Sequence, residues 1–278
     1  ISVISMSLGG GQYDDYCYEQ STTAAINEAV AKNISVVIST GNTGDGFNDP
    51  VAGISFPACI PNATRVTAMD KDDTYASYAF RNSNFTDILS APGTNINSTW
   101  NNGGYVGDSG TSMSAPHVAG TIAIVNQYLE ISNKSKNSSE IEQLLNGTGK
   151  SIYDSESGIN YSRINVLNSI LSMDTENPNI ALKSPSANLT SGSTSQNFSC
   201  EFSDNLELEN GSIHVWNKTA KINKTSFVLE GSEDTLQIEI NNLSDGGYNW
   251  TCSGYDAAGN YFISENRSLN IDLKAPSL

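Results

Sequence analysis

Gly110-Thr111-Ser112-Met113-Ser114-Ala115-Pro116-His117-Val118-Ala119-Gly120 sets small residues ahead of a serine that opens a helical stretch running on to Leu129. Ser112 is therefore expected at a helix N-terminus, where the first backbone N–H groups have no partner within the helix. A hydroxyl in that place has donors beside it, which suits a nucleophile that attacks a carbonyl and leaves an oxyanion to be stabilised. An isolated serine there would only cap the helix, so the surrounding chain must decide. Pro116 is read as lying in the early helix, where a missing N–H costs least. His117 follows Ser112 by five positions, about 140° round the helix at 3.6 residues per turn, and is turned away from its hydroxyl.

Working outward from this segment, short apolar runs alternate with helical stretches. Ile1 to Leu8 reads as a buried strand, closed by Gly9, Gly10 and Gly11. Ser21 to Lys32 carries Ala25, Ile26, Ala29 and Val30 at helical spacing, and Ile34 to Ile38 is a β-branched run. Strand, helix, strand in that order predicts a parallel sheet with crossover helices. Thr64 to Ala68 and Asp87 to Leu89 are further strand candidates, and Ser139 to Leu145 and Ile164 to Leu171 are shorter helices. This α/β character extends over residues 1–173.

After Asp174 the helical spacing stops. Asn197 to Phe202, Ser212 to Asn217, Thr235 to Ile240, Tyr248 to Ser253 and Ser268 to Ile271 read as strands between Gly, Asn, Asp and Ser turns. Cys200, Trp216 and Cys252 fall in the order of an immunoglobulin-like sandwich, in which the tryptophan packs on a disulfide between the sheets. The position two before the second cysteine holds Trp250, and Tyr248 lies four before it. An all-β immunoglobulin-like sandwich is thus expected over residues 174–272. Asp174-Thr-Glu-Asn-Pro178 is echoed by Asp272-Leu-Lys-Ala-Pro276, so residues 273–278 read as the start of a further repeat.

Composition narrows the function classes. The chain has 278 residues, with 14 Lys plus Arg against 30 Asp plus Glu and a formal charge of -16. Such a surface repels phosphate backbones and anionic lipid, so nucleic-acid partners are not expected. The apolar runs are far shorter than the roughly 20 residues of a membrane-spanning helix. The acceptor pattern Asn-x-Ser/Thr occurs sixteen times, from Asn33 to Asn266, where chance would give about seven. Four cysteines allow three connectivities. Their grouping favours Cys17 with Cys59 and Cys200 with Cys252, and with the acceptor sites it points to an extracellular, secreted or cell-surface setting.

GTSMSAPHVAG closely resembles the nucleophile motif of the subtilisin-like serine proteases, the subtilases. Ser7-Leu8-Gly9 resembles the family's substrate-binding strand, and Ser39-Thr40-Gly41-Asn42 the segment that carries its oxyanion asparagine. Phe56-Pro57-Ala58 and Ser90-Ala91-Pro92-Gly93 match two more landmarks in the family's order. The resemblance covers about residues 1–172 and implies a partial subtilisin-like sheet with flanking helices. It implies that Ser112 is the acyl-forming nucleophile, that Asn42 is the side-chain donor to the oxyanion, and that Ser7, Leu8, Gly9, Ser39, Thr40 and Gly41 bind substrate. By the same analogy Phe56–Pro57 is a cis peptide bond.

A serine nucleophile needs a base, and the chain has two histidines, His117 and His214. His117 is structural in the family, and His214 lies among the β-strands. Subtilisin orders its triad Asp, His, Ser; the resemblance begins downstream of the first two, so the chain is read as a fragment that is inactive alone. The expected function is a serine endopeptidase acting on proteins or peptides, with the sandwich binding cell-surface or carbohydrate partners. The alternative is a non-catalytic surface or adhesive protein with a degenerate protease domain. No cofactor is required. Asp45 to Asp49 and Asp70 to Asp73 could offer oxygens to Ca2+, yet neither has calcium-loop spacing, so they are read as solvated loops and no metal ligands are assigned.

Overall fold

Ser35–Ser39 and Thr64–Met69 are buried at every position, as strands covered on both faces must be, and neither shows in-out alternation. They are β3 and β5 of a first unit, Ile1–Ser172. In chain order this unit contains β1 (Val3–Met6), β2 (Gly10–Tyr13), α1 (Gln20–Ala31), β3, β4 (Ile54–Phe56), β5, β6 (Leu89–Pro92), β7 (Ile96–Thr99) and β8 (Tyr105–Asp108). It continues with α2 (Thr111–Ile131), α3 (Ser138–Thr148), β9 (Lys150–Asp154), β10 (Ile159–Arg163) and α4 (Val166–Leu171). The computed structural model describes residues 1–44 and 46–274.

The main sheet has the order β1-β3-β5-β6-β10-β9. All neighbours are parallel except the terminal β10–β9 pair. Helix α2 packs against β1, β3, β5 and β6, burying Ala115, Val118, Ile122 and Val125 at helical spacing, and so brings its first turn to the ends of these strands. Two arginines are sealed inside. Arg65 of β5 donates to the carbonyls of Ala58, Ile60 and Pro61 and pairs with Asp87. Arg81 grips Asp154 with two nitrogens and Glu156 with one.

Three expectations are corrected here. Within these 278 residues β1 is not fully buried: Val3 and Met6 are half-buried while Ile4 and Ser5 are exposed, and β1 pairs with β3 alone among the described strands. The strand expected at Asp87 to Leu89 runs over Leu89–Pro92, since Asp87 is drawn to Arg65. Pro116 lies beyond the first turn of α2, where its N–H would have bonded to the carbonyl of Ser112.

The second unit, Met173–Leu278, has only β-strands among its described residues. These are β11 (Asn179–Ser184), β12 (Leu189–Ser191), β13 (Gln196–Ser203), β14 (Leu208–Asn217), β15 (Lys221–Val228), β16 (Glu233–Ile240), β17 (Gly246–Asp256), β18 (Tyr261–Ile263) and β19 (Arg267–Ile271). One sheet runs β11-β13-β16, and the other β12-β19-β17-β14-β15, with β18 also on β17. Phe198, Cys200 and Phe202 of β13 share a core with Ile213 and Val215 of β14 and with Tyr248, Trp250 and Cys252 of β17. The Cys200–Cys252 disulfide joins β13 in one sheet to β17 in the other, with Cα atoms 6.7 Å apart. Cys17 and Cys59 form the second disulfide, so each half of the chain holds its own bridge.

The core tryptophan is not the one expected. On β14 the period of two sends Ile213 and Val215 inward, which turns His214 and Trp216 to the other face. There Trp216 stacks on His214 with centroids 5.8 Å apart and lies under Lys221. Trp250 is fully buried instead, edge-on to Phe198, two residues from Cys252 on the same strand face.

Candidate active site

The first turn of α2 and the segment after β3 meet across a cleft of about 410 Å³. It is lined by Ser7, Leu8, Gly9, Ser39, Gly41, Asn42, Thr111 and Ser112, and its far side by Phe47, Ser55 and Phe80. Helix α2 begins after Gly110 without a side-chain cap of its own. Asn42 fills that role: its Oδ1 accepts the backbone N–H of Thr111 at 3.0 Å. In return the Thr111 hydroxyl accepts the N–H of Gly41 at 3.1 Å. With Oδ1 committed to the helix, the Nδ2 donor of Asn42 is left over at a cleft that the half-buried Ser112 also lines.

Ser7 is held from the other direction. Its Oγ donates to the carbonyl of Ser112 at 2.7 Å, the acceptor that Pro116 cannot reach from the next turn. Leu8 is 54% exposed and open to a ligand at the cleft edge. Gly41 has φ +101°, and a Cβ there would collide with Ser55 Oγ and come within 2.7 Å of the Phe80 ring. That position therefore requires glycine for both backbone and space. Ser39 Oγ donates to the carbonyl of Met6. Thr40 is fully buried, its Oγ1 on the carbonyl of Val66, so it builds the sheet beneath the cleft.

The landmark Ser90-Ala91-Pro92-Gly93 anchors the helix rather than the cleft. Ser114 Oγ donates to the carbonyls of Ala91 and Pro92, and the Gly110 N–H donates to the carbonyl of Gly93 at 2.8 Å. Phe56–Pro57 is cis, as is Ser184–Pro185. Thr111, Phe47, Ser55 and Phe80 escaped the sequence reading. Thr111 stands within the quoted motif and Ser55 next to the Phe56-Pro57 landmark, but a bare residue type does not show that a cleft passes beside it.

Each histidine is engaged within its own unit. His117 Nδ1 is 2.8 Å from the carbonyl of Met113 on its own helix. His214, in the second unit, is within 2.8 Å of Ser253 Oγ, and its pKa is lowered by burial and then by Lys221 and Lys224. The acidic loops are occupied by protein partners. Asp73 takes Lys150 and Arg163, which hold its carboxyl below the usual range. Asp72 bonds to Thr74, and Asp49 Oδ1 accepts the N–H of Val51. Asp45 lies outside the described residues.

The chain belongs to the Subtilase family, whose pattern it matches over residues 1–170. It is 40% identical over 132 residues to the "Intracellular serine protease" of Paenibacillus polymyxa, covering 48% of this chain and 38% of that protein. It is 34% identical over 194 residues to the "Alkaline serine exoprotease A" of Vibrio alginolyticus, covering 69% of this chain and 33% of that one. With Subtilisin Savinase of Lederbergia lenta the identity is 37% over 128 residues, 46% of this chain and 43% of that protein. The chain thus spans about a third to two fifths of the length of these curated relatives. Among solved structures, the prenylagaramide maturation protease PagA is similar with a TM-score of 0.54 at 22% identity, covering 61% of this chain and 60% of that one. At that identity the likeness is one of fold: a subtilisin-like α/β fold with a parallel sheet and flanking helices.

Proposed function

We propose that this chain works as part of a secreted serine endopeptidase, with Ser112 as the nucleophile. Ser112 Oγ attacks the scissile carbonyl and its proton passes to a histidine base. The tetrahedral oxyanion is held by Asn42 Nδ2 and the Ser112 N–H, and the amine leaves as an acyl-enzyme forms, which water then hydrolyses. An extended peptide lies along Ser7 to Gly9 by strand addition, with Ser39 and Gly41 walling the pocket for its side chain. The observation that carries this reading is the bond from the Thr111 N–H to Asn42 Oδ1, which leaves the donor end of the carboxamide free at the cleft that Ser112 lines.

The base and its aspartate are proposed to come from sequence beyond these 278 residues, since His117 and His214 are both engaged elsewhere. Residues 1–173 then act as the C-terminal portion of the protease domain. Residues 174–272 act as an immunoglobulin-like module, and residues 273–278 begin another, its last four lying outside the described residues. The immunoglobulin-like reading draws on the inter-sheet disulfide and on Tyr248, whose hydroxyl donates to the carbonyl of Ser244 at 2.9 Å as a tyrosine corner does. The module is proposed to bind cell-surface or carbohydrate partners. Secretion and glycosylation are supported by the two disulfides and by the sixteen acceptor asparagines, none of which is buried.

Cleavage of a chromogenic peptide by the full-length protein, abolished by Ser112→Ala, is the expected result. No cleavage and no labelling of Ser112 by a fluorophosphonate would favour the non-catalytic surface protein. Cleavage by the 278-residue chain alone, lost in Ser112→Ala, would overturn the assignment of the base.

A further inference from the structure

Three carboxylates of the second unit converge without a cation to balance them. One oxygen each from Asp174, Asp204 and Asp256 lies within 4.8 Å of the others, and none of the three is in an ion pair among the described residues. Asp256 is fully buried and Asp174 is 6% exposed. Each is positioned by bonds to its other oxygen or to its own loop. Asp174 Oδ1 accepts the Glu176 N–H and Asn205 Nδ2, and Asp204 Oδ2 accepts the N–H groups of Leu206 and Glu207. Asp256 takes the backbone and side-chain N–H groups of Asn260. Asp174 Oδ2 and Asp204 Oδ1 are left buried with no hydrogen-bond partner among the described residues.

Burying carboxylates together and leaving oxygens unpaired costs several kcal/mol per ion unless something compensates. Here the donors nearby are spent on holding the carboxylates in place, so the compensation has to come from outside the chain. We propose that Asp174, Asp204 and Asp256 form a Ca2+ site of the second unit. The ligand atoms are all oxygens, as a hard cation needs. The three oxygens lie close enough together to share one ion, and a cage of protein carboxylates suits Ca2+, with its roughly 6–8 oxygen ligands, whereas Mg2+ usually keeps several waters and takes only one or two carboxylates. The three ligands come from separate places: Asp174 precedes β11, Asp204 follows β13 and Asp256 ends β17. The ion therefore ties the first residues of the unit to two of its loops. The site is independent of the peptidase reading.

The test uses the 278-residue chain, stripped with EDTA and titrated with CaCl2 by calorimetry and by thermal unfolding. Binding in the range of about 10⁻⁴–10⁻³ M, usual for extracellular modules, with a rise in the unfolding temperature of the second unit, is expected. Asp174→Asn and Asp204→Asn should each lose one equivalent of Ca2+, by about 100-fold or more in affinity, since even an outer partner of a ligand is worth 10–100-fold. In EDTA both variants should unfold no earlier than the wild type, because each removes one of three crowded charges; that keeps lost binding distinct from lost folding. The proposal is overturned if the wild-type chain takes up no Ca2+, if both variants keep the full stoichiometry and shift, or if MgCl2 at equal concentration gives the same shift.

Discussion

Ser7 Oγ donates to the backbone carbonyl of Ser112 at 2.7 Å, across 105 residues of chain. In an unbroken helix that carbonyl would accept the N–H of residue 116, but residue 116 is proline. The deficit within α2 is thus made good by the segment that follows β1, and the backbone of the proposed nucleophile is tied to the proposed substrate strand.

Ser7→Ala should leave the Ser112 carbonyl short of a partner, lowering stability by about 1 kcal/mol. In the full-length protein kcat should fall several-fold as the first turn of α2 loosens. Ser7→Thr keeps a hydroxyl and should restore most of it, which steady-state kinetics on the two variants will check.

Asn42→Asp retains an oxygen for the Thr111 N–H but loses the Nδ2 donor. The expected result is a fall in kcat of about 10²–10³ with KM little changed, since the donor acts only in the transition state. That magnitude is the one known for subtilisin, a member of the same family. Equal loss in kcat and affinity for a peptide inhibitor would assign Asn42 to ground-state binding instead.

Arg81 and Asp154 are 2% and 4% exposed, so Arg81→Met strands a buried carboxylate at a cost of about 3–5 kcal/mol near pH 7. Burial on its own would raise the pKa of Asp154, but the donors from Arg81 and Ser157 outweigh it and hold the carboxyl low. The stabilisation is therefore present above the ordinary aspartate range and lost as pH falls through the lowered value. Guanidinium unfolding should show the gap between variant and wild type closing in acid.

Glu142 is shifted the other way, from 4.5 to about 7, by burial first and then by the charge of Asp87, against Arg65 and the Thr64 hydroxyl. Its contribution to stability is complete below pH 4.5 and lost as pH rises through about 7. Glu142→Gln should abolish that dependence, worth roughly 2–3 kcal/mol. Urea unfolding of the first unit at pH 4.5 and pH 8 measures it.

Replacing Cys200 and Cys252 together by Ala opens a loop of 52 residues and should destabilise the second unit by roughly 4 kcal/mol on the chain-entropy account. The unfolding transition seen by Trp250 fluorescence should move while that of the first unit stays.

Much of the first unit is legible in the chain. Ser35–Ser39 and Thr64–Met69 declare themselves through their β-branched residues, Val36, Val37 and Ile38 in one and Thr64, Val66 and Thr67 in the other, although Arg65 interrupts the second, and α2 because its apolar positions recur at helical spacing. The hairpin strands Ile96–Thr99 and Tyr105–Asp108 were missed since they are largely exposed and carry no such pattern. Trp216 was misplaced because cysteine and tryptophan order says nothing of strand parity, and one position along β14 exchanges core for surface.

The sequence by itself determined the family and the placing of Ser112 at a helix start, because motif, spacing and local periodicity are written along the chain, and it favoured the pairing of cysteines within each half that the structure then showed. Tertiary structure alone decided that Asn42 caps the helix of Ser112, that Ser7 replaces the bond denied by Pro116, and that Asp174, Asp204 and Asp256 come together. Those relations join residues dozens of positions apart. They depend on the directions in which packed strands and loops point their side chains, and on which buried polar atoms find a partner once the core has closed.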